Sequence, residues 1–294
     1  MLVHLQELLK DAREKGYALG AFNIENLETT LGVVRAAVRQ RSPVILQVSE
    51  TSIEYGGLKA ITAIVQNVAA AESGNVPIAL HLDHGRSFRS VAECVRAGFS
   101  SIMMDASEMP LIENIILTKQ AVDFAHRRGV LAQGELGVVK GLEEVEPAER
   151  ETLMTKPEEA LEFVTKTGVD TLAVAVGNVH GIIKMRKGIP GLDLERLRKI
   201  HSLIPKTSLV LHGASGLAAD QIQQGVRLGV TIINIDTEMR IAFTQTLRKT
   251  LDEDPTIFDP RELLSPSIMA IQAIVEEKVR MFGSAGVVKK THIV

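Results

Sequence analysis

The chain has 294 residues, of which 45% are hydrophobic and 23% are charged, and its formal net charge is −3. This composition is typical of a globular protein, and the absence of a long basic segment argues against binding to nucleic acid or to an anionic membrane surface. The single cysteine, Cys94, excludes an intrachain disulfide and is consistent with a reducing compartment. Because the sequence contains neither a signal peptide nor an apolar run of roughly 18–20 residues, we expect a cytoplasmic protein that does not bind membranes.

The hydrophobic pattern predicts strands and helices that alternate along the whole chain. Short apolar runs predict eight strands, near residues 18–24, 44–49, 77–83, 101–105, 130–136, 171–176, 208–212 and 231–236. Apolar residues at helical spacing predict the main helices, near residues 3–10, 27–40, 58–72, 111–128, 157–166, 193–203, 218–228, 238–252 and 265–282. Ser87 is a suitable N-cap for one more helix after the third strand. Two longer connections, 137–156 and 177–191, interrupt the pattern.

The strands are continuous apolar runs, which favours a parallel sheet that is buried on both faces. Eight even strand–helix units with no linker between them predict an α/β fold, a single (β/α)8 TIM barrel with an N-terminal helix and an extra C-terminal helix. The barrel would form one catalytic domain over residues 1–294. An open, doubly wound sheet is the alternative.

Polar residues follow the predicted strands at one end only. In a TIM barrel, catalytic side chains lie at the carboxyl ends of the strands. Those ends carry Asn23, Ser49, Asp83, His84, Asp105, Glu135, His180, His212, Asn234 and Asp236. The opposite ends are mostly Gly, Pro, Val, Ser or Thr. This asymmetry predicts an active site on the carboxyl-end rim.

Three histidines share one context, because each follows an apolar strand or a short extension of it and precedes a glycine. They are His84, His180 and His212. Three imidazoles that converge on one rim are typical of a catalytic zinc site, whose fourth position is open to water or substrate. The alternative is that one or two of them are hydrogen-bonded core histidines.

Acidic residues next to these histidines have several possible tasks. Asp83 directly precedes a candidate ligand, so it could take a proton from a substrate hydroxyl, or it could orient an imidazole. Asp105 and Glu135 are candidates for metal ligation, for ligand orientation or for capping a strand end. No lysine lies within a predicted strand, so a Schiff-base lysine inside the barrel is not supported, and electrophilic activation would fall to a metal.

Glycines and small hydroxyl residues indicate a phosphate site. The segment His212-Gly-Ala-Ser-Gly216 leads into one helix, and Asn234-Ile-Asp-Thr237 leads into the next. Loops after the seventh and eighth strands of this fold often hold phosphate at helix N-termini.

Seven motifs together resemble the class II, zinc-dependent fructose-bisphosphate aldolases, in order and over residues 5–284. They are Ala21-Phe-Asn-Ile24, His81-Leu-Asp-His-Gly85, Ile102-Met-Met-Asp-Ala-Ser107, Gly134-Glu-Leu-Gly137, Val179-His-Gly181, Leu211-His-Gly-Ala-Ser-Gly216 and Asn234-Ile-Asp-Thr237. The resemblance implies reversible cleavage of a ketose 1,6-bisphosphate to dihydroxyacetone phosphate and an aldehyde. For fructose 1,6-bisphosphate the aldehyde is glyceraldehyde 3-phosphate.

The resemblance also implies roles for individual residues. His84, His180 and His212 match the ligands of one catalytic Zn2+ per subunit, and a second divalent or a monovalent cation is left open. Asp83 matches the acid/base that acts on the C4 hydroxyl, and Glu143 matches the residue that exchanges the C3 proton. The candidate substrate contacts are Asn23, Gly181, Lys184, Gly213, Ser215, Asn234, Asp236, Thr237, Arg240 and Arg261. Arg261 resembles a residue that reaches a neighbouring subunit, which implies a homodimer or homotetramer.

Three departures from the family pattern lie near the expected substrate. Glu108 stands where the family often has His, Lys140-Gly-Leu-Glu-Glu144 replaces a Gly-Gly-x-Glu-Asp loop, and Asn178-Val179 replaces small hydroxyl residues. They leave the ketose open. Fructose 1,6-bisphosphate is the leading substrate, and tagatose 1,6-bisphosphate or a deoxy-ketogluconate phosphate are alternatives. A catalytically silent barrel that serves as an assembly subunit is a third reading.

Overall fold

Eight parallel strands close into a barrel in chain order, and the first strand pairs with the eighth. The computed structural model describes residues 1–139, 150–179 and 191–289. The strands are β1 (Leu19–Asn23), β2 (Val44–Ser49), β3 (Ile78–Gly85), β4 (Ser101–Met104), β5 (Leu131–Leu136), β6 (Thr171–Val174), β7 (Ser208–Leu211) and β8 (Val230–Ile235). The predicted TIM barrel is thereby confirmed, and the open sheet is excluded because β1 and β8 are hydrogen-bonded to each other.

Helices lie between the strands and before and after the barrel. They are α1 (Leu5–Lys15), α2 (Leu27–Gln40), α3 (Glu50–Gly56), α4 (Leu58–Glu72), α5 (Phe88–Arg96), α6 (Leu111–His126), α7 (Arg150–Leu153), α8 (Pro157–Thr167), α9 (Leu194–Leu203), α10 (Ala219–Arg227), α11 (Thr237–Glu253) and α12 (Pro260–Met281). The part of the chain that the structure describes holds no helix long and apolar enough to cross a bilayer.

Three helical features differ from the sequence expectation. The short helices α3 and α7 were not predicted, because neither is long enough to repeat an apolar stripe. Helix α12 begins at Pro260, earlier than the predicted residue 265. Asp259 caps this helix through a hydrogen bond from the Arg261 amide, and Pro260 suits a first helical position.

The interior of the barrel changes from apolar to polar along the first three strands. Alternate residues of a strand face the same side, so Ala21 and Asn23 both point inward on β1. The apolar inward residues form one cluster with α1, which closes the amino end of the barrel. This cluster contains Leu5, Leu8, Leu9, Ala12, Tyr17, Leu19, Ala21, Ile45, Ala79, Ala173, Val210 and Ile232. The next inward positions, Asn23 on β1, Gln47 on β2 and His81 on β3, are polar and buried.

Candidate active site

A cavity of about 700 Å³ opens at the carboxyl ends of the strands. Its volume lies within the range of small-molecule sites. Most of its lining comes from strand ends and the residues that follow them. The lining residues are Asn23, Gln47, Ser49, Glu50, Thr51, Glu54, Asp83, His84, Arg86, Asp105, Ala106, Ser107, Glu108, Met109, Glu135, Val138, Val139, Gly213, Ser215, Asn234, Asp236, Thr237 and Arg240.

The end of β3 delivers two successive side chains into this cavity. Strand alternation alone would point Asp83 inward and His84 outward. The β3–β4 register shifts between Leu82 and Gly85, and His84 takes a left-handed backbone with φ +47°. His84 therefore also faces the cavity, and its Nε2 lies 3.8 Å from Asp83 Oδ1. A Cβ at Gly85 would lie 2.6 Å from the Met103 carbonyl oxygen, which explains the glycine after this histidine.

The Asp83 carboxylate is buried and held by two amides from either side. Asn23 Nδ2 donates to Oδ2 at 2.8 Å, and Asn234 Nδ2 donates to Oδ1 at 3.3 Å. Burial raises the pKa of Asp83, but the nearby imidazoles of His84 and His212 and the Asn23 amide outweigh this effect and lower the pKa. An ionised carboxylate in a fixed orientation is able to accept a proton from a bound hydroxyl.

Two carboxylates lie close to the imidazoles of His84 and His212, and that of Asp105 is hydrogen-bonded to His84. His84 Nδ1 lies 2.6 Å from Asp105 Oδ2, and Glu135 Oε2 lies 3.2 Å from His212 Nδ1 and 3.8 Å from His84 Nδ1. The two ring centroids are 4.7 Å apart. Burial lowers the pKa of His84, but the carboxylates of Asp83, Asp105 and Glu135 outweigh it and raise the pKa to about 10. The pocket around His84 is thus strongly negative and favours a cation.

The same groups are able to hold a metal ion. Ligand atoms of Asp83, His84 and His212 lie within 4.8 Å of one another, as do those of His84, Asp105 and Glu135. Glu135 Oε2 is buried and accepts no hydrogen bond from any described residue. Imidazole nitrogens and carboxylate oxygens are donors that zinc uses in proteins, so this donor set fits a zinc ion.

The loop after β7 and the start of α11 form one side of the cavity. Gly213, Ser215, Asn234 and Thr237 all line it. Helix α11 has no side-chain N-cap, so its first backbone N–H groups are not satisfied by a capping side chain. Such a terminus attracts an anion such as phosphate.

Two carboxylates surround the arginine on the outer side of the cavity. Arg240 Nε lies 2.7 Å from Asp236 Oδ1 and 3.0 Å from Glu25 Oε1. Burial raises the pKa of Asp236 to about 7, with Glu25 and Asp83 adding to the increase and Arg240 opposing it. Arg240 is therefore paired within the protein with Glu25 and with a carboxyl group that is only partly ionised at neutral pH.

Comparisons with known proteins agree on one family. The family model "Fructose-bisphosphate aldolase class-II" matches residues 3–287. The chain belongs to this family. A fructose-bisphosphate aldolase from Geobacillus stearothermophilus is 44% identical over 288 residues, covering 97% of this chain and 98% of the relative. One from Thermus caldophilus is 42% identical over 308 residues, covering 97% and 99%. The crystal structure of the YdjI aldolase from Escherichia coli K12 has a TM-score of 0.84 at 32% identity, covering 98% of this chain and 100% of that one.

Membership in the class-II fructose-bisphosphate aldolases makes the chain a lyase of a family that acts on sugar phosphates. The family is zinc-dependent in general, and the described residues include a histidine and carboxylate cluster that fits a metal.

The structure gathers most residues that were predicted for an aldolase site. Eleven of them line this cavity: Asn23, Asp83, His84, Asp105, Glu135, Gly213, Ser215, Asn234, Asp236, Thr237 and Arg240. His212 is fully buried, and its Nδ1 lies 3.2 Å from Glu135 Oε2. Glu143, His180, Gly181 and Lys184 lie outside the described residues. Arg261 is not brought to this cavity, because its side chain is 89% exposed on α12 and paired with Asp259.

Sequence reasoning missed two residues that position His212 in this aldolase. Gln133 Nε2 lies 3.2 Å from His212 Nε2 and so holds the ring. Asn178 donates to the His212 carbonyl oxygen at 3.0 Å and accepts from the Val176 amide at 2.7 Å. Asn178, one of the departures from the family pattern, thus connects the segment after β6 to the residue after β7. A polar residue within an apolar strand, such as Gln133, was the available signal.

Proposed function

We propose that the chain is a metal-dependent aldolase that reversibly cleaves a ketose 1,6-bisphosphate. Fructose 1,6-bisphosphate is the leading substrate, and dihydroxyacetone phosphate and glyceraldehyde 3-phosphate are its products. The observation that carries this proposal is the buried Asp83 carboxylate, fixed by two amides and adjacent to His84. Curated relatives named fructose-bisphosphate aldolase, at 42–44% identity over nearly the whole chain, support the choice of substrate.

His84, His180 and His212 are the residues that we propose to hold one zinc ion. Asp105 would orient His84 through Nδ1, and Gln133 would orient His212 through Nε2, so that the other nitrogen of each ring would face the metal. Glu135, whose Oε2 lies 3.2 Å from His212 Nδ1, would be an alternate ligand or a partner of the ligands. A bound zinc ion supplies electrophilic polarisation of the substrate ketone. The group of His84, Asp105 and Glu135 would offer donors to a second cation.

The proton of the C4 hydroxyl would pass to Asp83 as the carbon–carbon bond breaks. Asn23 and Asn234 keep this carboxylate in one orientation, which matters because general-base catalysis requires hydrogen-bond reach to the hydroxyl. Asp83 would return the proton in the condensation direction. Glu143 is our proposal for proton exchange at C3.

The first phosphate would bind at the loop after β7 and the N-terminus of α11. Its proposed contacts that line the cavity are Gly213, Ser215, Asn234 and Thr237. Two further proposed contacts, Gly181 and Lys184, lie outside the described residues. Asn23 would contact the sugar hydroxyls. The second phosphate would lie toward Arg240 and Asp236, and it would have to compete with Glu25 for the arginine.

We further propose a single catalytic domain over residues 1–294 that assembles as a homodimer or homotetramer. Arg261 would reach the second phosphate of a neighbouring subunit, which agrees with its exposure away from its own cavity. The nearby Phe258 side chain is also exposed, at 92%. Light scattering of the purified protein would measure the assembly. The proposed location is the cytoplasm, where an aldolase would meet phosphorylated sugars.

A coupled cleavage assay tests this function directly. Purified protein is given fructose 1,6-bisphosphate, tagatose 1,6-bisphosphate or a 2-keto-3-deoxygluconate phosphate, and product is detected by reduction or oxidation of a nicotinamide cofactor. We expect the largest kcat/KM with the fructose substrate. Preference for another of these substrates would correct the ketose, and no turnover of any of them would favour the catalytically silent alternative.

A further inference from the structure

A buried ion pair lies behind the proposed site of the first phosphate. The Lys278 ammonium on α12 contacts Glu238 Oε2 at 2.7 Å and Glu277 at 3.5 Å. The side chain of Lys278 is only 6% exposed, and that of Glu238 is 14% exposed, whereas Glu277 is 57% exposed. A lysine is rarely so buried without a reason, because removing an ammonium from water is costly unless it is paired. None of the proposed catalytic steps uses this pair.

The second oxygen of Glu238 extends the ion pair into the loop after β7. Glu238 Oε1 accepts a hydrogen bond from the Gly216 backbone N–H at 2.5 Å. Gly216 ends the segment that contains the cavity residues Gly213 and Ser215. Glu238 also directly follows Thr237, the first residue of α11. One carboxylate thus joins the two elements that are proposed to hold the phosphate, and Lys278 anchors that carboxylate from α12.

We propose that Lys278 and Glu238 are positioning residues for the first phosphate of the substrate. This inference rests on the phosphate location proposed above. The hydrogen bond from Gly216 to Glu238 joins the loop that carries Ser215 to the N-terminus of α11, and an uncharged glutamine would keep this acceptor. Lys278 keeps the site receptive to an anion, because its ammonium offsets the negative charge that Glu238 brings close to the phosphate.

Removing the charge of Lys278 and removing the charge of Glu238 should have opposite effects on the affinity for phosphate. Lys278→Met leaves the buried carboxylate of Glu238 without its main counter-charge, and this carboxylate repels a phosphate dianion. Glu238→Gln keeps an acceptor for the Gly216 amide and leaves the positive charge of Lys278 behind the site. Binding of phosphate should therefore weaken in the first variant and not in the second.

The test measures dissociation constants of dihydroxyacetone phosphate and of inorganic phosphate by calorimetry on the zinc-loaded protein. For Lys278→Met we expect both constants to rise by about tenfold, the effect of one partly screened charge. Glu238→Gln should bind at least as tightly as the wild type, and the double variant should recover most of the loss. Lys278→Arg should stay within about threefold of the wild type. Lys249→Met is the matched control, since that lysine is 72% exposed on α11.

Steady-state kinetics distinguish a role in phosphate binding from a general loss of packing. We expect KM for the bisphosphate to rise in Lys278→Met while kcat at saturation changes little, because the pair touches no reacting atom. Equal phosphate affinities in Lys278→Met and the wild type would overturn the inference, as would a loss in kcat with an unchanged KM. If the wild type binds phosphate but cleaves no ketose, the proposed function fails while the binding test of this pair still holds.

Discussion

The two ends of the barrel are built from the same strands and serve different tasks. At the amino end, inward residues such as Ala21 and Ile45 pack against Leu8 and Leu9 of α1. One inward position further along, β1, β2 and β3 carry the polar residues Asn23, Gln47 and His81 instead. Burial of apolar surface at the amino end stabilises the fold by roughly 25 cal/mol per Å². The carboxyl end holds carboxylates and imidazoles in an arrangement suited to metal binding and proton transfer.

The carboxyl end carries features that cost stability. His84 holds a left-handed backbone, which costs a non-glycine residue about 1–3 kcal/mol. Asp83 and Glu135 are buried carboxylates, and each lies 3.8 Å from a ring nitrogen of His84. Such groups persist only where the surrounding structure holds them. Substitutions at the two ends should therefore affect different measurable quantities.

The largest expected effect is on catalysis, from Asp83→Ala at the polar end. Loss of a general acid/base lowers rates by about 10²–10⁴-fold, so kcat should fall by that amount or more. Zinc content, measured by atomic absorption, should remain near that of the wild type, because we assign the metal to the histidines. The melting temperature should fall moderately, because the buried amides of Asn23 and Asn234 lose their acceptor. Turnover close to that of the wild type would remove Asp83 from the mechanism.

At the amino end, Leu8→Ala should lower stability and leave catalysis unchanged. Leu8 is 4% exposed in the apolar cluster, and such truncations cost about 2–5 kcal/mol of the free energy of unfolding. Urea denaturation measures this loss, and kcat and KM are measured well below the transition. Glu7→Ala, an exposed neighbour on the same helix, is the control. A large change in kcat with intact stability would contradict the division between the two ends.

A smaller effect is expected from Glu25→Gln at the outer rim of the site. Without this carboxylate Arg240 is freer to bind the second phosphate, so KM for the bisphosphate should fall by about two- to fivefold. The gain is limited because the pKa of Asp236 is near 7 partly through Glu25, and loss of Glu25 makes Asp236 more fully ionised beside Arg240. The KM for fructose 1-phosphate, which lacks this phosphate, should not change.

Glu28→Gln on α2 is the matched control for this substitution. It should leave both KM values at those of the wild type. An unchanged bisphosphate KM in Glu25→Gln would mean that Arg240 does not contact the second phosphate. A fall in KM for both substrates would mean that Glu25 acts on the whole cavity.

The barrel could be predicted from sequence because its signals are local and repeated. Apolar runs marked each strand, and polar residues such as Asn23 and Asp105 marked the strand ends. The orientation of His84 could not be predicted, because it depends on a register shift against β4 and on a left-handed backbone. The contact of Gln133 with His212 could not be predicted either, since it joins β5 to the residue after β7 across the barrel interior. Contacts across the barrel become visible only once closure has fixed the register.

Metal dependence of cleavage is the most direct test of the central claim that the polar end forms a zinc-dependent aldolase site. The measurement is turnover of fructose 1,6-bisphosphate before EDTA treatment, after it, and after Zn2+ is returned, with a parallel sample treated with borohydride and substrate. We expect chelation to abolish cleavage, zinc to restore it, and borohydride to leave activity intact because none of the described strands carries a lysine. Full turnover by metal-free protein, or inactivation by borohydride with substrate, would contradict this account.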